Sequence, residues 1–161
     1  IGPFLSDRDA YFDDVVKPLI DKEETIYVLK DSDAEDTATR RFPHKKIRHV
    51  RAGRHVASVQ AYLLSLRLGF QRGRARGLEL VTHWSFTGAA PLDATVDIKG
   101  KTLEVTPGRH VGAATLRISA DAETWLKVLN RDVELAAALD SRLINPSDEK
   151  LFAAYMRCFP S

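Results

Sequence analysis

The chain is poor in the residues that usually announce chemistry. Cys158 is the single cysteine among 161 residues. One thiol cannot close an internal disulfide, so the fold must stand on its core, and a reducing, cytoplasmic setting is the expectation. No run of about 18 apolar residues exists, which excludes a membrane-spanning helix. The five histidines include no i, i+4 pair around a glutamate and have no cysteine partner, so no metal site is expected. A Gly-x-Ser-x-Gly turn is missing, and "GFQRGRARG" (69–77) spaces three glycines without the Gly-Lys-Ser/Thr of a phosphate loop. Asp31, Asp33 and Glu35 alternate as in a calcium loop. The sixth position, however, is Asp36 where glycine is required, and the twelfth is Phe42 where a bidentate glutamate is required. Neither catalysis nor a cofactor is therefore expected of these residues.

A second absence is of one sign of charge. Residues 37–76 contain no carboxylate and 11 Lys/Arg, whereas residues 1–36 hold 11 acids and 4 bases. Opposite charge this close in sequence is expected to meet partly within the molecule, each exposed pair contributing only about 0–1 kcal/mol. Arg72, Arg74 and Arg76, in the glycine-spaced turn, are candidates for gripping an anionic head group through bidentate bonds. A turn whose arginines face water is the plainer reading.

What is present is a change of period. "LELVTHWSFTG" sets Leu78, Leu80, Thr82, Trp84 and Phe86 on one face, and "LDATVDI" sets Leu92, Ala94, Val96 and Ile98 on one face. Leu103/Val105 and Leu116/Ile118 repeat the alternation. Four short strands joined by Gly88, Gly100 and Pro107-Gly108 read as an antiparallel meander with one buried face, leaving His83 exposed on the other. Helical periodicity follows through 121–140 and in "NPSDEKLFAAYMRCF", where Asn145 reads as N-cap and Pro146 as the first helical residue. Earlier, 6–20 reads as a helix that Pro18 kinks or ends, and 25–30 as a strand, a pairing similar to the last α/β unit of a neighbouring domain. The acidic "DSDAEDTATR" reads as a solvated connector, and the basic 41–54 as another, with Ile47 and Val50 able to pack an edge strand. The division expected is an appendage over 1–54 and a domain over 55–161.

The segments "VQAYLLSLRLGF" (59–70), "LVTHWSFTG" (80–88), "DIKGKTLEVTPG" (97–108), "LRISADAETWLKVL" (116–129) and "LFAAYMRCF" (151–159) together resemble the sterol carrier protein type-2 family. The resemblance covers about two thirds of the chain and rests on size and polarity, not on invariant catalytic residues. It departs from the pattern at "SRLINPSDE", where Asn145-Pro146 stands in place of an expected glycine. The fold it implies is α+β, an antiparallel or mixed five-stranded sheet covered on one face by helices. It also implies an apolar tunnel for a fatty acid, fatty acyl-CoA or sterol-like ligand. The residues that would line it are Leu63, Leu66, Phe70, Trp84, Phe86, Trp125, Leu129, Phe152, Tyr155, Met156 and Phe159.

The function expected is therefore non-catalytic binding or transfer of a hydrophobic ligand, with an anionic membrane surface as a further partner of the basic tract. The alternative is a structural or dimerising accessory domain at the C-terminus of a larger enzyme, since domains of this family are often fused to a catalytic partner and Ile1 is not a start methionine. A nucleic-acid binder is disfavoured. Few aromatic side chains interleave with the charges at 40–54, and no recognised module is matched.

Overall fold

The computed structural model describes residues 17–22, 25–50 and 55–160. The helix expected over 6–20 lies outside these residues except for its end, α1 (Lys17–Ile20).

Two hydrophobic clusters form. The smaller is a β–α–β unit: β1 (Thr25–Leu29), α2 (Asp33–Arg41) and β2 (Lys46–Val50), with β1 and β2 parallel. Ile26 and Val28 on one face of β1 pack with Ala34, Ala38 and Phe42 of the α2 region. The acidic stretch is thus a helix, not a solvated connector. Ser32 caps it by accepting from the Glu35 backbone N–H at 3.3 Å, and Asp33, Glu35 and Asp36 lie in the first turn, where the helix dipole favours negative charge.

The larger cluster joins α3 (Val59–Gly69) to a five-stranded sheet and three further helices. The strands are β3 (Glu79–Thr87), β4 (Leu92–Lys99), β5 (Thr102–Pro107), β6 (Leu116–Asp121) and β7 (Ile144–Pro146), in spatial order β5-β4-β3-β6-β7. The helices are α4 (Ala122–Leu129), α5 (Leu135–Asp140) and α6 (Glu149–Arg157). The architecture is α+β with a mixed five-stranded sheet.

The meander expectation needs one correction. β3, β4 and β5 do run as an antiparallel meander, but β6 returns to the other edge of β3 and pairs parallel to it, Thr82 opposite Leu116 and Thr87 opposite Asp121. The return requires a crossover, and residues 108–115 provide it as a strap across the back of the sheet. Val111 N–H donates to Thr95 Oγ1 (2.8 Å), which donates to the Arg109 carbonyl (2.9 Å), and Thr115 N–H donates to the Val81 carbonyl (2.8 Å). His83 is consequently buried beneath the strap, not exposed, and its ring stacks on His110 at 4.5 Å.

The end of the chain also differs from expectation. Asn145 and Pro146 lie in β7, paired antiparallel to β6, and Asp148 is the N-cap of α6, accepting from Lys150 and Leu151 N–H at 2.9 and 3.1 Å. The continuous helix read over 121–140 is two, broken at Asn130, whose side-chain amide ties back to both backbone groups of Val56. Cys158 is buried, with its thiol donating to the Ala154 carbonyl at 3.4 Å.

The β–α–β unit is fastened to the larger cluster at the glycine-spaced turn. Asp33 accepts backbone N–H groups of Gly73 (2.8 Å) and Arg74 (2.9 Å), and its own N–H donates to Gln71 Oε1 (2.8 Å). Arg74 forms a bidentate bond to Asp36, both contacts at 2.9 Å, so the acidic and basic segments do meet within the molecule.

Candidate functional site

The alternation of β3 and β4 turns one set of side chains toward the helices. Trp84, Ala94, Val96, Ile98, Leu116 and Trp125 are all fully buried on that side. Trp84 stacks on Phe86 with centroids 4.8 Å apart and lies 4.8 Å from Trp125. Tyr62, from α3, meets both tryptophans edge-on at 6.0 and 5.5 Å. Tyr155, from α6, completes the group. Its hydroxyl accepts from Trp84 Nε1 at 3.3 Å and shares a hydrogen bond with Tyr62 Oη at 2.8 Å. Burial raises the pKa of both phenols, so both stay neutral and able to donate.

Of the residues expected to line a tunnel, Leu63, Leu66, Trp84, Phe86, Trp125, Phe152 and Tyr155 are buried in this cluster. Phe70, Leu129, Met156 and Phe159 are half-buried against it. Phe159 bridges centre and margin, 5.2 Å from Tyr155 and 6.0 Å from Phe70. The rings touch one another directly, so the centre is filled by aromatic side chains. Two buried polar atoms there have no hydrogen-bond partner among the described residues, Trp125 Nε1 and Thr82 Oγ1. Tyr62 was not among the expected site residues. Its signal was a tyrosine inside the apolar stripe of 59–70, because a buried phenol needs a polar partner from elsewhere in the fold.

The three arginines do not converge. Arg74 is held by Asp36 and also faces Asp31 at 3.8 Å; the hydrogen bond it donates to Asp36 leads the causes that raise its pKa. This ion pair removes it from a head-group role. Arg72 lines an open cleft of about 450 Å³ with Arg67, Phe70, Lys101, Thr102 and Leu103. Arg76 is exposed and lines neither this cleft nor a second open depression of about 590 Å³ beside Leu78 and Lys99.

A serine, a histidine and an aspartate gather on the back of the sheet. Ser85 Oγ is 3.5 Å and Asp93 Oδ1 3.8 Å from the same atom, His110 Nε2, which lies 2.8 Å from the Trp84 carbonyl. A nucleophile–base–orienter relay needs the two ring nitrogens to serve different partners. Here one nitrogen meets all three, so the group is a brace for the strap. No cluster of three or more His, Cys, Asp or Glu suited to a metal ion occurs among the described residues. Nor is any helix among them long and apolar enough to cross a membrane.

No family model matches the chain, and no curated protein does. Solved structures do. The chain is similar to the stereoselective inverting sec-alkylsulfatase Pisa1 from Pseudomonas sp., at 16% identity and a TM-score of 0.55 over 63% of this chain. With a double mutant of that sulfatase the TM-score is 0.60 at 13% identity over 80% of this chain. The chain spans only 16% and 21% of those two structures' own length. A crystal structure of sterol carrier protein 2 aligns at 20% identity over 62% of this chain and 84% of that one, with a TM-score of 0.47. At these identities the comparisons speak to architecture alone.

Proposed function

We propose that this chain is a non-catalytic domain that binds a single hydrophobic molecule, an acyl chain or a sterol-like lipid, between its sheet and its helices. The observation that carries the reading is the indole Nε1 of Trp125. It is fully buried, at the centre of an aromatic layer, and has no partner among the described residues. Leaving a buried donor unpaired costs about 1–3 kcal/mol. A ligand bearing a carboxylate, ester or hydroxyl oxygen would satisfy this donor, and its apolar part would take the places of rings that move aside. Half-buried Phe70, Met156 and Phe159 supply a margin through which such a molecule can enter.

Both tryptophans of the protein, Trp84 and Trp125, lie in this layer, so the chain carries its own reporter. Titration with palmitate, palmitoyl-CoA or cholesterol should shift or quench tryptophan emission saturably. Met156→Trp, which fills the margin, should weaken the effect, and native mass spectrometry should find co-purified lipid. Emission that ignores all three probes would overturn the reading.

A second reading is favoured by a separate observation. The two sulfatase alignments, which reach the higher TM-scores, involve about a fifth or less of a longer enzyme chain. On this reading the domain is an accessory part of a larger enzyme, its aromatic layer simply a core. A purified domain that carries no lipid, and that a separately expressed catalytic region binds, is the outcome that would support it.

A further inference from the structure

The two-stranded sheet of the β–α–β unit is covered on one face only. Ile26 and Val28 of β1 pack with the α2 region, and His49 Nε2 of β2 lies 2.7 Å from Glu35 of that helix. Alternation sends the remaining residues of both strands to the opposite face. The register sets them there in pairs, Thr25 beside Lys46, Tyr27 beside Arg48 and Leu29 beside Val50. Tyr27 is 59% and Val50 49% exposed. The face thus carries two cations and no carboxylate, and neither Lys46 nor Arg48 forms an ion pair with a described residue.

A parallel pair is the arrangement least suited to such exposure. Sheets of parallel strands occur almost only with both faces covered, and helices are what cover them. α2 supplies one cover; the exposure of Tyr27 and Val50 shows that no described residue supplies the other. The alignment with the sulfatase double mutant bears on where a second layer comes from. It takes in 80% of this chain, more than residues 55–161 provide, so it reaches into the first 54 residues. It does so inside an enzyme chain of which this one spans 21%.

We propose that the outer face of β1 and β2 is the seat of an amphipathic, acidic helix from an adjoining enzyme domain. Its aliphatic side chains lie on Tyr27, Leu29 and Val50, and its carboxylates meet Lys46 and Arg48. This rests on the accessory-domain reading above and names the surface by which that domain is joined. A second copy of the chain is a poorer occupant, because a two-fold pairing of this face turns its cations toward the same cations of the partner.

The probe is a fluorescently labelled peptide that folds as an amphipathic helix, with leucine at i, i+3, i+4 and i+7 and glutamate on its flanks. It is titrated with the full chain and read by anisotropy, beside the same peptide with lysine for glutamate. The glutamate peptide should bind at least tenfold more tightly, by a margin that narrows as salt is raised. Tyr27→Ser, which removes the aromatic anchor, should weaken it tenfold or more. Lys46→Glu with Arg48→Glu should reverse the preference, a gain of lysine-peptide binding that a misfolded variant would not give. Equal affinity for the two peptides, or binding that ignores both Tyr27→Ser and the charge reversal, would overturn the proposal. Self-association of the chain that Tyr27→Ser abolishes would also overturn it, by giving the face to a second copy. The accessory-domain reading fails separately. A catalytic region that binds the chain regardless of Tyr27→Ser upholds that reading and overturns this surface. A peptide preference that reverses with charge, in a chain that no catalytic region binds, keeps the acidic helix as occupant and overturns the accessory reading.

Discussion

The hydroxyl groups of Tyr62 and Tyr155 meet at 2.8 Å, 93 residues apart in sequence, inside a core where both rings are buried. Trp84 Nε1 donates into the same oxygen of Tyr155 from 3.3 Å. One oxygen therefore joins the first helix of the larger cluster, the central strand and the last helix. Tyr155→Phe keeps the ring but strands the Trp84 donor and leaves the Tyr62 hydroxyl to find another partner. Unpaired buried groups cost about 1–3 kcal/mol each, so a loss of about 2–4 kcal/mol is expected in urea unfolding. Tyr62→Phe leaves Tyr155 still accepting from Trp84, so the indole donor stays paired, and should cost about 1 kcal/mol. Equal losses for the two variants would contradict this asymmetry.

The alternating strands were legible because period two over Leu80–Phe86, Leu92–Ile98 and Leu116–Ile118 survives almost unbroken in the burial of these residues. Which edge of β3 receives β6 was not legible, since alternation specifies a face and says nothing of a neighbour. The same ignorance hid the strap, and with it the burial of His83. α2 was missed because its inward residues are Ala34, Thr37 and Ala38, too small to give an apolar stripe. Ser32 and Glu35, three apart, carried the capping signal that could have found it. At the chain's end, Asn145-Pro146 met the rules for a helix start, but Asp148 met them too and had the better position behind β7. For the candidate site, the large residues were readable as inward-facing. The contacts of Trp84 with Trp125 and Tyr155, and the pairing of Arg74 with Asp36, join segments far apart in sequence and left no local trace.

Burial also sets a pH limit. The pKa of Cys158 is raised to about 11 by loss of solvation, and those of Tyr62 and Tyr155 are raised as well. Where the folded state keeps a proton that the unfolded chain releases, rising pH favours the unfolded chain. Stability should therefore be level below about pH 9 and fall as pH rises through the ordinary thiol and phenol ranges near 9 and 10. Thermal melts between pH 7 and 11 test this. In the folded protein at pH 8 the thiol should react with a disulfide reagent only as fast as the chain opens. Rapid stoichiometric labelling without loss of structure would contradict it.

On the acid side, Asp121 shows the opposite sign. As N-cap of α4 it accepts from the Thr124 hydroxyl at 2.7 Å and the Thr124 N–H at 3.0 Å, and these bonds lower its pKa, the hydroxyl contributing most. Its contribution is present above the ordinary aspartate range and lost as pH falls below about 4. Asp121→Ala should cost about 1 kcal/mol at pH 7. It should also flatten the decline between pH 5 and 3. An unchanged acid limb would show that other carboxylates carry it.

The last prediction concerns the clasp between the two clusters. Asp33 receives two backbone N–H groups from the 70–76 turn, and Gly73 permits that approach. A β-carbon at 73 would sit 2.6 Å from Asp33 Oδ1 and 2.9 Å from its Cγ, closer than real contacts allow. Hydrogen bonds to a charged acceptor contribute about 1.5–3 kcal/mol. Asp33→Ala and Gly73→Ala should thus each loosen the β–α–β unit, and the double variant should cost little more than one alone, because both remove the same clasp. The sheet should not follow, because its hydrophobic cluster draws on no described residue before Val56. Hydrogen exchange should then quicken over 25–50 and 71–76 in either variant while β3 and β4 stay protected, and residues 55–161 expressed alone should keep the tryptophan emission of the full chain. Loss of protection throughout the sheet would show that the two clusters fold as one unit, not as a domain and its appendage.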